Sequence, residues 1–292
     1  MRRSPIRKIY LSVLLFLFVP GALWAKVVVA VSILPQKSFV EKIAGDLADV
    51  TVMVPPGASP ASYEPKASQM KKITRAEIYF AIGVPFEKAW LPRFAAQNPK
   101  MKIVDVTAGI KKRPMVSHRH EHGSGHHHRE DSLDLHVWLS PPLVAIVAEN
   151  IAEALKDADP EHAAEYMKNL ERFKREIEAL DRELRKILEP CRGTAMMVFH
   201  PSWGYFANQY GLRQIPIEAE GKEPRSKRLA ELIKEAKEEG VKAIFVQPQF
   251  SKRAAEAIAD SIGAEVVVAD PMAADWAESL IDTAKELCKA AR

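Results

Sequence analysis

From residue 26 onward the chain alternates short unbroken apolar runs with longer stretches whose apolar residues recur every three or four positions. Val27–Ser32 (VVVAVS) is a continuous, largely β-branched run, the pattern of a strand buried on both faces. Pro35–Gly45 reads as a helix, with Pro early and Gly at its end. Val50–Val54, Ile78–Ile82 and Ile103–Val106 read as further strands, separated by helical segments near Ser68–Arg75 and Phe86–Gln97. The same order returns after residue 190. Strands are expected at Ala195–Phe199, Arg213–Ile217, Ala243–Val246 and Glu265–Ala269, and helices near Trp203–Tyr210, Ser226–Glu239, Lys252–Ile262 and Ala274–Ala290. Strands alternating with helices imply mostly parallel sheets covered by helices.

Between the two halves the period changes. Asp159-Pro160 reads as an N-cap followed by Pro at the first helical position. No Gly or Pro interrupts Glu161–Leu188, and Tyr166, Leu170, Phe173, Ile177, Leu180, Leu184 and Ile187 follow steps of three and four. This predicts one amphipathic helix of about 28 residues, about 42 Å long. The expected fold is α/β, with two Rossmann-like lobes of parallel sheet joined by one long backbone helix. The boundaries follow: a leader over 1–25, a first lobe over 26–158, the connecting helix over 159–189 and a second lobe over 190–292.

The leader reads as an export signal. Arg2, Arg3, Arg7 and Lys8 precede an apolar run, Ile9–Val19. Pro20-Gly21 breaks that run, and Leu23-Trp24-Ala25 offers a cleavage site. An uncleaved anchor is the alternative, but the run is short for a bilayer span, and no Cys near the cleavage point suggests a lipid anchor. The expected location is periplasmic. Removing the leader's four basic residues from the chain's 42 leaves 38, equal to the 38 acidic ones, so charge gives no reason to expect nucleic acid as a partner. Cys191 and Cys288 fit one disulfide in an oxidising compartment, or two buried thiols.

His118 to His128 read HRHEHGSGHHH. His118, His120, His122, His126, His127 and His128 are six of the chain's nine histidines. The segment around them, 117–131, is too polar and Gly/Ser-rich for a core. It reads as an exposed loop that binds Zn²⁺, Cu²⁺ or Ni²⁺ weakly and exchangeably, with Glu121, Glu130 and Asp131 able to assist. An ordered site needs ligands where loops leave the carboxyl ends of parallel strands. His200 ends AMMVFH, Asp270 ends EVVVAD, His136 lies in DLHVW beside Asp134, and Glu64 lies in the loop after the second strand.

These segments carry a resemblance. PPGASPASYEPKASQ (55–69), the His-rich loop, DLHVWLSP (134–141) and FHPSWGYFANQYGL (199–212) are similar, in order and spacing, to the ZnuA-like (cluster A-I) periplasmic solute-binding proteins of zinc/manganese ABC importers. So are IEAEGKEPRSKRLAELI (217–233), IFVQPQFS (244–251) and VVADPMAADW (267–276). The resemblance implies two α/β lobes on a rigid backbone helix, metal in the cleft between them, and an inner-membrane ABC permease as partner. It implies His136, His200 and Asp270 as metal residues. In the zinc-type pattern a His follows the Pro of Ser-Pro. Here that position is Ala61, and Glu64 is the nearest replacement, ahead of Tyr63 or water. The expected function is high-affinity Zn²⁺ binding by a monomer without catalysis. Mn²⁺ or Fe²⁺ as cargo, a periplasmic zinc buffer, and a zinc hydrolase are the alternatives. The hydrolase lacks a recognisable HExxH motif.

Overall fold

A computed structural model describes residues 26–115, 133–218 and 222–291. The leader and the His-rich loop, with its six histidines, lie outside the described residues. The first lobe runs β1 (Val27–Val31), α1 (Leu34–Ala44), β2 (Ala48–Val52), α2 (Ala67–Ile73), β3 (Ile78–Ala81), α3 (Pro85–Gln97) and β4 (Lys102–Asp105). Two helices follow, α4 (Pro141–Ala158) and α5 (Ala163–Leu188). The second lobe runs β5 (Ala195–Val198), α6 (Gly204–Tyr210), β6 (Arg213–Pro216), α7 (Ser226–Glu238), β7 (Ala243–Val246), α8 (Arg253–Ile262), β8 (Glu265–Val268) and α9 (Trp276–Ala290).

Each lobe holds a four-stranded parallel sheet, ordered β2-β1-β3-β4 and β6-β5-β7-β8. The central strands β3, β5 and β7 are buried throughout, which is why they read as unbroken apolar runs. The edge strands β4 and β8 are largely open to solvent. The expected strands lie within two residues of the observed ones. The largest shift is at β2, which starts at Ala48 because Val27–Val31 pairs with Ala48–Val52. Pairing, not hydrophobicity, sets that boundary.

The connecting region differs more. Its long helix has 26 residues and starts at Ala163, since Pro160–His162 forms a 3₁₀ turn first. The Asp159 carboxylate is taken by the His162 ring at 2.7 Å and the Tyr166 hydroxyl at 2.6 Å, so it does not cap the helix as expected. At the far end Leu188 is buried and Ile187 only partly so. Helix α4 had not been expected. Its signal is present: Pro141-Pro142 at its start, then buried Val144, Val147, Ala148, Ile151, Ala152 and Leu155 at helical spacing.

Helix α5 packs its buried face against α1, α4 and α9, so one rod touches both lobes. Phe39 of α1 meets Phe173 of α5 at 5.9 Å and stands edge-on to Trp276 of α9 at 5.1 Å. One apolar core therefore runs through the first lobe, the rod and part of the second lobe, while a smaller core lies wholly in the second lobe. Cys191, just past α5, and Cys288, in α9, are bonded, with Cα atoms 5.6 Å apart. The bridge ties the end of the rod to the last helix. Among the described residues no helix is long and apolar enough to cross a membrane.

Candidate metal centre

His200 lies two residues past β5, where the strand releases its chain toward the other lobe. Its backbone is clamped by Gln247, one residue past β7. The Gln247 carbonyl accepts the His200 N–H at 3.2 Å, and its amide donates to the His200 carbonyl at 2.8 Å and to Ser202 Oγ at 3.0 Å. The imidazole stacks on Phe250 at 5.3 Å. Its Nδ1 meets the carboxylate of Glu218 at 2.6 Å. A carboxylate only accepts, so Nδ1 is the donor, and in the neutral ring Nε2 keeps its lone pair.

His136 comes from a different kind of element, at the head of the short 3₁₀ turn Val137–Leu139. Asp134 Oδ1 accepts both the His136 backbone N–H, at 3.0 Å, and its Nδ1–H, at 2.8 Å. Asp134 thus fixes the ring as Glu218 does for His200, and in the neutral ring Nε2 is left free. Burial holds the His136 pKa below the usual histidine value. Asp134 opposes that shift and the neighbouring His200 adds to it. The two supporting carboxylates are almost fully enclosed, with side-chain exposures of 1% for Asp134 and 2% for Glu218, whereas the rings are 13% and 27% exposed. The fold thus hides both charges and leaves both imidazoles accessible.

The two rings converge, with centres 5.3 Å apart and planes at 71°. Zn–N bonds of about 2.0–2.1 Å and a tetrahedral angle put two ligating imidazole centres about 5 Å apart. The observed spacing therefore suits two nitrogens on one ion.

This corner is locked across the lobes. Trp138 Nε1 donates to the Pro271 carbonyl at 2.7 Å, and Trp276 Nε1 donates to the Trp138 carbonyl at 2.6 Å. Arg113 donates to the Gly204 carbonyl at 2.6 Å, and the Tyr205 hydroxyl to the Asp134 carbonyl at 3.1 Å. Gly204 has a further role. A Cβ there would come within 2.5 Å of Asp134 Oδ2, so any side chain would push the carboxylate that holds His136.

Asp270, two residues past β8, precedes the Pro271 that Trp138 grips. Its Oδ1 accepts the Met272 N–H at 2.9 Å and the Gln249 amide at 3.2 Å. Glu64 and Ala61 are exposed on the loop after β2. Tyr63 is turned into its own lobe, with its hydroxyl on Gln69 at 2.6 Å and its ring on Phe86 at 6.2 Å. Among the described residues no three His, Cys, Asp or Glu side chains stand close enough together to hold a metal. The structure thus joins His136 and His200, with Asp270 and Glu64 outside that pair. Glu218, Gln247 and Gln249 had not been singled out. Each follows a strand end within one to three residues, the position that selected His200 and Asp270.

The family model for the periplasmic component A of the zinc-uptake complex, ZnuA, matches residues 29–290. The zinc-binding protein AdcA of Streptococcus pyogenes is 30% identical over 261 residues, covering 85% of this chain and 50% of that protein. The chain thus spans about half the length of such streptococcal relatives. A crystal structure of ZnuA is 42% identical, superposes with a TM-score of 0.85, and covers 91% of this chain and all of that one. A zinc-bound structure of a ZnuA 138–173 deletion mutant is 43% identical, with a TM-score of 0.83 over 91% of this chain and 98% of that one.

Proposed function

On the premise that this chain belongs to the family of periplasmic zinc-uptake component A proteins, we propose that it binds Zn²⁺ between its lobes and delivers it to an ABC permease. The observation that carries this reading is the pair of converging imidazoles, each with Nδ1 on a buried carboxylate and Nε2 free. Neutral imidazoles so oriented are the usual ligands of borderline metals and suit Zn²⁺ better than Mn²⁺. Zinc-binding relatives support the same cargo. The protein acts as a binding component, in an extracytoplasmic space reached through its leader.

Asp270 supplies the third ligand. The carbonyl of its neighbour Pro271 is already bonded to Trp138, whose ring lies 5.2 Å from that of His136. Glu64 takes the fourth position, which Ala61 cannot fill. The histidines of 117–131 form a separate set of weak, exchangeable sites that raise the local supply of metal.

A calorimetric zinc titration tests this with full chain and with Ser117–Arg129 deleted. One tight site should persist after deletion, while the weak phase disappears. Glu64→Ala should weaken the tight site, and Ala61→His should strengthen it. Loss of the tight phase on deleting the loop would place the principal site in the loop and overturn the reading.

A further inference from the structure

The loop after β7 reads Gln247-Pro248-Gln249, and its two amides grip the two neighbouring strand ends. Gln247 holds the backbone of His200, and Gln249 holds the carboxylate of Asp270. The second grip is selective. Asp270 Oδ1 already receives the Met272 N–H at 2.9 Å, and Gln249 adds its amide to that same oxygen at 3.2 Å. A carboxylate accepts only, so the Gln249 group facing it must be NH₂. Two donors on one oxygen leave Oδ2 as the atom free to meet a cation.

We propose that Gln249 is a specificity-determining residue: it keeps Asp270 a one-oxygen ligand and so biases the centre toward small coordination numbers. The proposal rests on Asp270 being a ligand of the zinc site argued above. A four-coordinate ion such as Zn²⁺ takes one oxygen from a carboxylate at little cost. Mn²⁺ favours six ligands, mainly oxygen. A carboxylate that can turn both oxygens inward adds a donor for Mn²⁺ that Zn²⁺ does not need. Gln249 opposes that turn because Oδ1 would have to give up a hydrogen bond. Its effect falls on the choice between ions rather than on affinity in general. Partners of this kind change metal affinity by about 10–100-fold, which sets the expected scale.

The test compares full-length wild type, Gln249→Met and Asp270→Ala. Met keeps the length of Gln and removes the donor. Zn²⁺ and Mn²⁺ affinities are measured by competition against a chelator, and one equivalent of Co²⁺ reports geometry through its visible absorption, which is strong when tetrahedral. Gln249→Met should lower the Zn²⁺:Mn²⁺ affinity ratio by about tenfold and weaken the Co²⁺ band. Equal losses for both ions, with the ratio and the band unmoved, would mean that Gln249 only supports the loop, and would overturn the proposal. Wild-type zinc affinity in Asp270→Ala would instead remove Asp270 from the site, defeating the parent reading as well. If Gln249→Met fails to fold by circular dichroism, Gln249→Asn withdraws the amide by one methylene and is read by the same ratio.

Discussion

The two lobes share one sheet topology and use their strand ends in opposite ways. In the second lobe the residues just past β5, β6 and β7 include His200, Glu218 and Gln247, and the last two hold His200 with its imidazole partly open to solvent, while Asp270, just past β8, stands outside this group. In the first lobe the corresponding positions are closed. Ser32, just past β1, meets the Tyr79 hydroxyl at 2.8 Å and donates to Glu87. Glu87 also accepts the N–H groups of Ile82, at 2.9 Å, and Gly83, at 2.7 Å, just past β3. All three side chains are buried. Buried backbone N–H groups in the turns that leave the strands need partners. The first lobe satisfies them internally and brings its histidine from outside the sheet, on the turn after the His-rich segment. The second lobe carries its histidine at the end of a strand of the sheet itself. The fold offers the location twice, and side-chain chemistry decides which copy becomes a centre.

The largest effect that sharpens this contrast should come from His200→Ala. A zinc binding free energy on the order of 10–16 kcal/mol shared among three or four donors implies a loss of about 10³-fold in affinity, read by chelator competition. Replacing Ser32 with Ala in the first lobe should leave zinc affinity unchanged; a comparable loss there would break the comparison.

The disulfide comes next, and it should separate stability from binding. Cys191→Ser with Cys288→Ser opens a link spanning 97 residues and should cost about 2–5 kcal/mol in denaturant unfolding. Zinc affinity of the folded protein should stay near wild type, because the bridge lies at the end of α5 and away from the histidine pair.

Smaller losses should follow when the hidden carboxylates are disturbed. Glu218→Gln should lower zinc affinity by about 10-fold or somewhat more, since an amide holds the His200 ring less firmly. Gly204→Ala should act on His136 from a distance by displacing Asp134, and a crystal structure of the variant would show the carboxylate moved.

The smallest effect concerns the sealed lobe. Burial, the largest cause, raises the Glu87 pKa above the usual carboxylate value, although Ser32, Ile82 and Gly83 oppose the shift. The folded state then binds a proton more tightly than the unfolded chain. The stabilisation linked to this group is fully present below the unfolded pKa and is lost as pH rises through the folded one. Unfolding curves for wild type and Glu87→Gln should therefore diverge across the acid range, with wild type gaining relative to the variant as pH falls. Parallel curves would show that Glu87 does not titrate differently on folding.

The sequence by itself determined the two sheets, the rod between them and the residues worth testing as ligands. Unbroken runs such as VVVAV and AIFV had to be strands buried on both faces, and the apolar steps from Tyr166 to Leu184 had to lie along one helical face. Both patterns are local, so both survive translation into one dimension. His200 and Asp270 could be selected because position relative to a strand end is also local. Helix α4 is legible in the same way, from Pro141-Pro142 and the apolar steps from Val144 to Leu155. Tertiary structure alone decided what meets what. It brought His136 within 5.3 Å of His200, 64 residues later in the chain, placed Glu218 behind one ring, set Gly204 against Asp134 and joined Cys191 to Cys288. It also moved the start of α5 to Ala163 by giving Asp159 other partners. All but the last of these depend on a distance between residues well separated in the chain; the start of α5 turns on a local choice of partner for Asp159. Spacing along the chain does not fix such distances; packing of the two lobes on one rod does.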